Sequence, residues 1–267
     1  MNMVMREGET WRPPLFSASN SPVSRFVFAL RRTFDLQTSS MWNDLSTELP
    51  PVRGTVVDVG CGAQPYRSLF GKDVSYIGID TADAEARFGY ADSSTRYFQG
   101  STWPVEDASV DFLLCTETLE HVLEPREFLA EAIRCLVPGG KMFMTVPFSA
   151  RWHYIPYDYW RYTPSSLEYL LNQAGFTDIC VYARGNALTV ACYKIIALLL
   201  LLLMPQDKSP VVGVALRIIG IPFIPLFVLL GCIGNMSLWG QGGDDCLGYT
   251  VLARKCNRRD KPACSRG

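Results

Sequence analysis

The sequence predicts a doubly wound α/β fold with a mostly parallel sheet and a hydrophobic helical insert before the last strand. Three observations carry that expectation. Over residues 55–184 short apolar runs of β character alternate with helical patterns, the mark of βαβ units. A tight glycine turn, Gly60-Cys61-Gly62, follows the first of those runs directly. A nearly uncharged stretch over 188–240 then separates the fifth run from a final β-type segment, CLGYTVLARK.

The elements follow in order. Residues 1–22 are rich in Ser, Pro and Asn without sustained periodicity and read as a flexible leader. Its opening, MNMVMREGETWRPP, puts acidic and proline residues where a cleaved export signal needs an apolar run, so no such signal is expected. The main domain is assigned to 23–186. At its start Phe26, Phe28, Leu30, Phe34, Leu36 and Trp42 mix with Arg25, Arg31 and Arg32, which predicts one or two amphipathic helices. Strands are expected at 55–60 (TVVDVG), 74–80 (VSYIGID), 109–116 (SVDFLLCT), 141–148 (KMFMTVPF) and 177–184 (TDICVYAR). The clearest helix, 126–136, is closed by Pro138, Gly139 and Gly140. The apolar insert spans 187–240, the last strand of the sheet 241–256 and a basic tail 257–267.

A chain of 267 residues fills one α/β domain with attachments but not two large domains. Its 25 basic and 26 acidic residues nearly cancel, so no broad field draws in nucleic acid. The nine cysteines form no C-x-x-C pair and there are only two histidines. That composition fits reduced thiols in a cytoplasmic setting, with neither disulfides nor a metal site expected.

The turn after the first strand reads Asp58-Val59-Gly60-Cys61-Gly62 and should open onto a helix N-terminus, where glycines permit positive φ and close approach of a ligand. The second strand ends in Asp80, about twenty residues past Gly60, where this fold offers a carboxylate to ribose hydroxyls. Together they predict an adenosine-containing cofactor. The third glycine of a dinucleotide fingerprint is replaced by Pro65, so a ligand without a pyrophosphate fits better.

The stretches VVDVGCGAQPY, YIGID, STWPVEDASVDFLLCTETLEHVLEPREFLAEAIRCLVPGGKMFMTVPF and LLNQAGF resemble class I methyltransferases of the methyltransferase type 11 kind, over roughly residues 53–184. The resemblance implies a seven-stranded Rossmann-like sheet and S-adenosylmethionine as cofactor. It also implies that Asp58, Gly60, Cys61 and Gly62 hold the methionine part and Asp80 the ribose. The position after the third strand, often an acid that reads adenine, is Ser101 here, a departure that weakens an adenine contact. Thr116 and Glu117, with Cys115 before them, would face the cofactor.

Methyl transfer from a sulfonium is an in-line displacement that mainly needs alignment and exclusion of water. For a hydroxyl acceptor a general base helps, and the segment SARWHYIPYDYWRYTPSSL, residues 149–167, is the expected place at the C-terminal edge of the sheet. His153, Asp158 and Tyr159 are the residues expected to do acid–base work there. Trp152, Tyr157, Arg161 and Tyr162 are expected to hold the acceptor. The same aromatic residues could instead pack the loop onto the sheet. His121, in LEHV, is expected to be structural or to line the cofactor side.

The insert contains six consecutive leucines and, over 188–204, one charge, Lys194; over 211–240 it carries only Arg217. About 20 apolar residues cross a bilayer, a length the second run exceeds and the first approaches. Because the last strand must return to the sheet, both ends of the insert lie on one side, which two crossings or a re-entrant hairpin satisfy. The basic flanks, Arg184 before and Arg254, Lys255, Arg258, Arg259 and Lys261 after, put that side in the cytoplasm, whereas PQDKSP between the runs has no net charge. A membrane-associated enzyme acting on a hydroxyl or carbon of a lipid-linked glycan or polyisoprenoid follows. A soluble protein using the insert as a dimer interface or lid, an NAD or nucleotide-sugar oxidoreductase, and a non-catalytic scaffold are the alternatives.

Overall fold

The computed structural model describes residues 22–204, 209–240 and 242–257, without the side chains of Pro22, Ser24, Arg25 and Pro210. The expected leader, most of PQDKSP and nearly all of the basic tail lie outside the described residues.

Seven strands make one sheet: β1 (Thr55–Val59), β2 (Ser75–Thr81), β3 (Arg96–Phe98), β4 (Val110–Thr116), β5 (Leu136–Pro147), β6 (Phe176–Arg184) and β7 (Gly248–Lys255). Their order is β3-β2-β1-β4-β5-β7-β6. The pairings β1/β2, β1/β4, β2/β3 and β4/β5 are all parallel. The first residues of β7 meet the last of β6, Leu247 N–H donating to Arg184 O (2.9 Å). At the far end Thr177 Oγ1 donates to Arg254 O (3.3 Å). The last strand therefore runs opposite to β6, which makes the sheet mixed. Strand order reverses between β1 and β4, and ligands of open α/β sheets bind beyond the C-terminal ends of the strands at such a point.

The described residues fall into two compact units. One takes Leu45–Tyr182 and the chain from Tyr249, and so holds most of the sheet. It includes α3 (Ala84–Phe88), α4 (Pro125–Cys135) and α5 (Pro164–Ala174). Its core is apolar side chains of the central strands: Val56, Val57, Leu113, Leu114, Met142 and Phe143 are fully buried. Two expectations for this unit needed adjusting. The strand expected at 141–148 starts at Leu136, directly after α4, because Val137 to Gly140 are taken up in an irregularity between the pairs Val110–Leu136 and Phe112–Lys141. The short edge strand β3, implied by the seven-stranded resemblance, is not among the β-type runs read from the residues, because Arg96-Tyr97-Phe98 buries no face and so shows no alternation.

The other unit takes the chain through Asp44 and Ala183–Gly248. Two helices stand at its start, α1 (Pro22–Phe34) and α2 (Leu36–Glu48), the latter running on past Asp44. The break falls at Asp35, whose carboxylate accepts from Thr38 N–H (3.1 Å) and Thr38 Oγ1 (2.8 Å), an N-cap for α2. The apolar insert folds as α6 (Ala187–Leu203), α7 (Pro210–Gly220) and α8 (Ile224–Ser237). Asn186 starts α6 by accepting from Leu188 N–H (3.1 Å) and Thr189 N–H (3.2 Å). Leu36, Val190, Ile196, Leu199, Phe227 and Leu247 form the core of this unit. Val211–Ser237 is continuous enough and apolar enough, at a mean hydropathy of 2.3, to cross a membrane, while Ala187–Leu203 is shorter. Much of this apolar surface is uncovered: Leu198 is 63% exposed, Ile218 64% and Leu229 54%.

Candidate functional site

The site grows out of the tip of β1. Asp58 is buried in that strand and accepts from Tyr76 OH at Oδ2 (2.5 Å), while its Oδ1 has no hydrogen-bond partner. Burial first, against the Tyr76 hydrogen bond and with the Asp80 charge, pushes the Asp58 carboxyl up to about 7. Beyond it the chain turns at Gly60 (φ +68) and Gly62 (φ +51), both left-handed. A Cβ on Gly60 would stand 2.4 Å from Thr118 Cγ2 and 2.5 Å from its Oγ1, so this position tolerates only glycine. Thr118 lies just past β4 and its Oγ1 donates to Val59 O (3.3 Å), which ties the ends of β1 and β4 together at the reversal of strand order.

Asp80 closes the turn from β2. Its Oδ2 accepts from Gly62 N–H (3.0 Å) and its Oδ1 from Thr81 N–H (2.8 Å). Burial raises its pKa above the ordinary carboxylate value despite those two donors. Each oxygen keeps a lone pair for a further donor. Cys61 is buried against Thr95 Oγ1 (3.4 Å), and burial together with the Asp58 charge drives its thiol well above the usual range, so it stays protonated. Asp58, Gly60, Cys61, Gly62 and Asp80 are thus brought together. Glu117 is held in left-handed backbone (φ +48) with its N–H on Thr145 O (3.0 Å), at the same edge as the half-buried Thr116. Ser101 is different: it is exposed, past the end of β3.

The segment expected to take the acceptor folds over the short 3-10 turn Leu119–His121. Tyr159 N–H (2.9 Å) and Trp160 N–H (3.3 Å) donate to Glu120 O, and Trp160 Nε1 donates to Val122 O (2.9 Å). Arg161 grips Asp158 with both ends of its guanidinium, Nη1 to Oδ1 (2.5 Å) and Nη2 to Oδ2 (2.7 Å). Burial opposes the Asp158 charge, yet His153 and Arg161 outweigh it and hold its pKa below the usual value. Asp158 therefore positions its neighbours. Tyr162 is buried with its hydroxyl on Leu119 O (3.3 Å), and Tyr157 stacks under the Arg87 guanidinium (4.5 Å). An open groove remains, lined by Phe148, Trp152, Asp158, Tyr159, Trp160 and Arg161. Trp152 and Tyr159 are exposed along it.

Three residues of consequence were not among those expected to act. Tyr76 and Thr118 shape the turn as described. Glu120 is fully buried with neither carboxylate oxygen hydrogen-bonded. Burial and then the Glu117 charge push its carboxyl well above the ordinary range. Next to it, burial and then His153 bring the His121 imidazole down to about 4. The LEHV string marked the place, but a buried glutamate beside a histidine is visible only once the turn is folded.

Residues 34–181 match the model of a family described as a methyltransferase domain. An uncharacterised methyltransferase of Mycobacterium sp. (strain JLS) is 31% identical over 129 residues, 47% of this chain and 51% of that protein. One from Mycobacterium bovis (strain BCG / Pasteur 1173P2) is 32% identical over 124 residues, 43% of this chain and 48% of that protein. The chain spans about half the length of the curated relatives it matches. In fold it is similar to a SAM-dependent methyltransferase from Archaeoglobus fulgidus, with a TM-score of 0.50 at 17% identity over 86% of this chain and 100% of that one. A SAM-dependent methyltransferase from Thermotoga maritima gives a TM-score of 0.50 at 17% identity over 86% of this chain and 97% of that one.

Proposed function

From the premise that the chain belongs to the methyltransferase-domain family, we propose that it transfers a methyl group from S-adenosylmethionine to a hydroxyl, or a carbon, of a lipid-linked acceptor. The observation that carries the cofactor reading is the buried, unpartnered Oδ1 of Asp58 beside a glycine turn closed by Asp80. An orphaned carboxylate oxygen at the turn fits a ligand that brings its own positive charge. S-adenosylmethionine, when bound, supplies an electrophilic methyl group on a sulfonium. Asp58 with Gly60, Cys61 and Gly62 would hold its amino acid end, and Asp80 would accept from the ribose hydroxyls. Thr116 and Glu117 would border it at the β4 tip, and Ser101 is the weakest of the proposed contacts because it is exposed.

The chain's own residues then have two tasks. The groove of Trp152, Tyr159, Trp160 and Arg161 offers flat aromatic faces and a cation, which suit a sugar or ring. Tyr157, stacked with the Arg87 guanidinium, and Tyr162, whose hydroxyl donates to Leu119 O, belong to the same segment. Of His153, Asp158 and Tyr159, the side chains of His153 and Asp158 are buried, Asp158 is clamped by Arg161, and Tyr159 is exposed.

A membrane-bound acceptor is supported by the uncovered apolar surface of α6, α7 and α8. The catalytic unit would stand on the cytoplasmic side, with residues 187–240 associated with lipid.

Two measurements test this reading. Membranes carrying the protein, incubated with methyl-labelled donor, should yield label in the organic extract; label confined to the aqueous phase removes the lipid-linked acceptor. In calorimetry Asp80→Ala should bind S-adenosylmethionine more weakly by about 1–3 kcal/mol. Unaltered binding would mean that the ribose lies elsewhere, and binding of NAD(H) in its place would restore the oxidoreductase.

A further inference from the structure

One nitrogen from each of His121 and His153 and a carboxylate oxygen of Glu120 lie within 4.8 Å of one another. They come from two separate segments, the 3-10 turn after β4 and the loop after β5. Glu120 is fully buried and neither of its oxygens accepts a hydrogen bond. Such a group is costly to bury unless something binds it.

The imidazoles are oriented for the same purpose. His121 Nδ1 faces Tyr157 O at 2.8 Å, and a carbonyl can only accept, so Nδ1 carries the proton and Nε2 the lone pair. That Nε2 stands 3.7 Å from Glu120 Oε1. His153 Nδ1 faces Arg151 O at 2.9 Å and Asp158 Oδ2 at 3.2 Å, which again leaves the lone pair on Nε2. Histidines that bind metals are held in this way, with the second ring nitrogen donating to a carbonyl or carboxylate. Phe88 packs on His121 (5.2 Å) and Tyr154 on both imidazoles (5.7 and 5.1 Å), an apolar shell around the three donors.

We propose that Glu120, His121 and His153 bind one divalent first-row transition cation. Two imidazoles and a carboxylate are the donor set of open catalytic zinc and non-haem iron sites, where three protein ligands leave room for water or substrate. Ligand bonds of about 2.0–2.2 Å require the three atoms to draw together by roughly 1 Å, within reach of side-chain rotation. The cation replaces the expectation of no metal site, which rested on sequence spacing alone. Its open position takes an acceptor oxygen, a role that rests on the methyl-transfer reading; binding of the cation does not.

The test is metal binding by the full chain in detergent after treatment with chelator. Co2+, as a spectroscopic stand-in, should bind once per chain with ligand-field absorption that Zn2+ abolishes. Pulsed EPR of the Cu2+-loaded protein should show two imidazole nitrogens, a measurement on the unaltered chain. Glu120→Gln and His153→Gln, each with native circular dichroism, should lower Co2+ affinity at least about tenfold. Absence of Co2+ binding, a Cu2+ spectrum without imidazole, or variants that bind like the parent would overturn the site. Titration with S-adenosylmethionine separates the two readings. A chain that binds it but not Co2+ loses the cation site alone, and one that binds Co2+ but not S-adenosylmethionine keeps the site and loses methyl transfer.

Discussion

The tip of the sheet and the helical unit both bury polar atoms without a hydrogen-bond partner, Arg32 Nε and Gln37 Oε1 in the second, and the helical unit also lays apolar side chains open. At the tip, polar atoms are buried without partners: Asp58 Oδ1 and both carboxylate oxygens of Glu120. In the helices, apolar side chains face outward without cover, Val211 at 77% exposure and Ile218 at 64%. Folded chains ordinarily satisfy the first kind of atom and hide the second. Each departure costs free energy that only a partner returns, at about 1–3 kcal/mol per orphaned polar group and about 25 cal/mol per Å2 of apolar surface. A few orphaned carboxyl oxygens at the tip of the sheet fit a small ligand that brings donors to them; a broad apolar face fits lipid.

The comparison breaks most visibly if the helices do not need lipid. Ile218 on α7 and Leu229 on α8 are both exposed, so Ile218→Asp with Leu229→Asp leaves the fold intact. In a bilayer each aspartate costs about 2.5–3.5 kcal/mol near the centre of a span. Together they should move the protein from vesicles to the soluble fraction in flotation by several orders of magnitude, with S-adenosylmethionine binding unaltered. A double variant that floats like the parent assigns this surface to another protein.

A smaller effect sharpens the other half. Gly60→Ala sets a Cβ against Thr118 (2.4 Å) at φ +68. Left-handed backbone costs a non-glycine residue about 1–2 kcal/mol and overpacking about 1–3 kcal/mol, so urea denaturation should report a loss of roughly 2–5 kcal/mol. Adding Thr118→Ala should return the overpacking share and leave the backbone share. Full recovery in the double variant would show that the turn is not strained.

How much of this was legible in the sequence follows from the range of the interactions. The glycine turn, Asp80 and the strands before and after them are local signals, and the structure brings them together at one edge. The apolar insert was legible from composition. The edge strand Arg96–Phe98 was not, because it hides no face. Neither was the fate of Asp158: nothing in YDYWRY distinguishes an acid free to act from one clamped by Arg161. Glu120, His121 and His153 come close only through the crossover between β4 and β5, so their grouping lies beyond any motif. Long-range proximity, and the satisfaction of buried polar atoms that depends on it, is what the sequence withholds.

The subtlest effect tests Asp58 itself. An unfolded aspartate ionises near ~3.9, whereas burial holds this one at about 7. Between those values the folded chain keeps the extra proton, so stability from this group is present at low pH and lost as pH rises toward 7. The slope is at most about 1.4 kcal/mol per pH unit. Asp58→Asn can still accept from Tyr76 and should flatten that decline. A ligand ammonium reverses the preference, because it favours the ionised carboxylate. Affinity for S-adenosylmethionine should therefore rise as pH passes 7 in the parent and stay lower and flatter in Asp58→Asn. The ligand's own amino group titrates nearby, at about 7.7–8.0 for an ordinary α-amine, so the difference between parent and variant carries the information. Parallel pH profiles in calorimetry would mean that Asp58 does not meet the ammonium, and that its orphaned oxygen serves the turn alone.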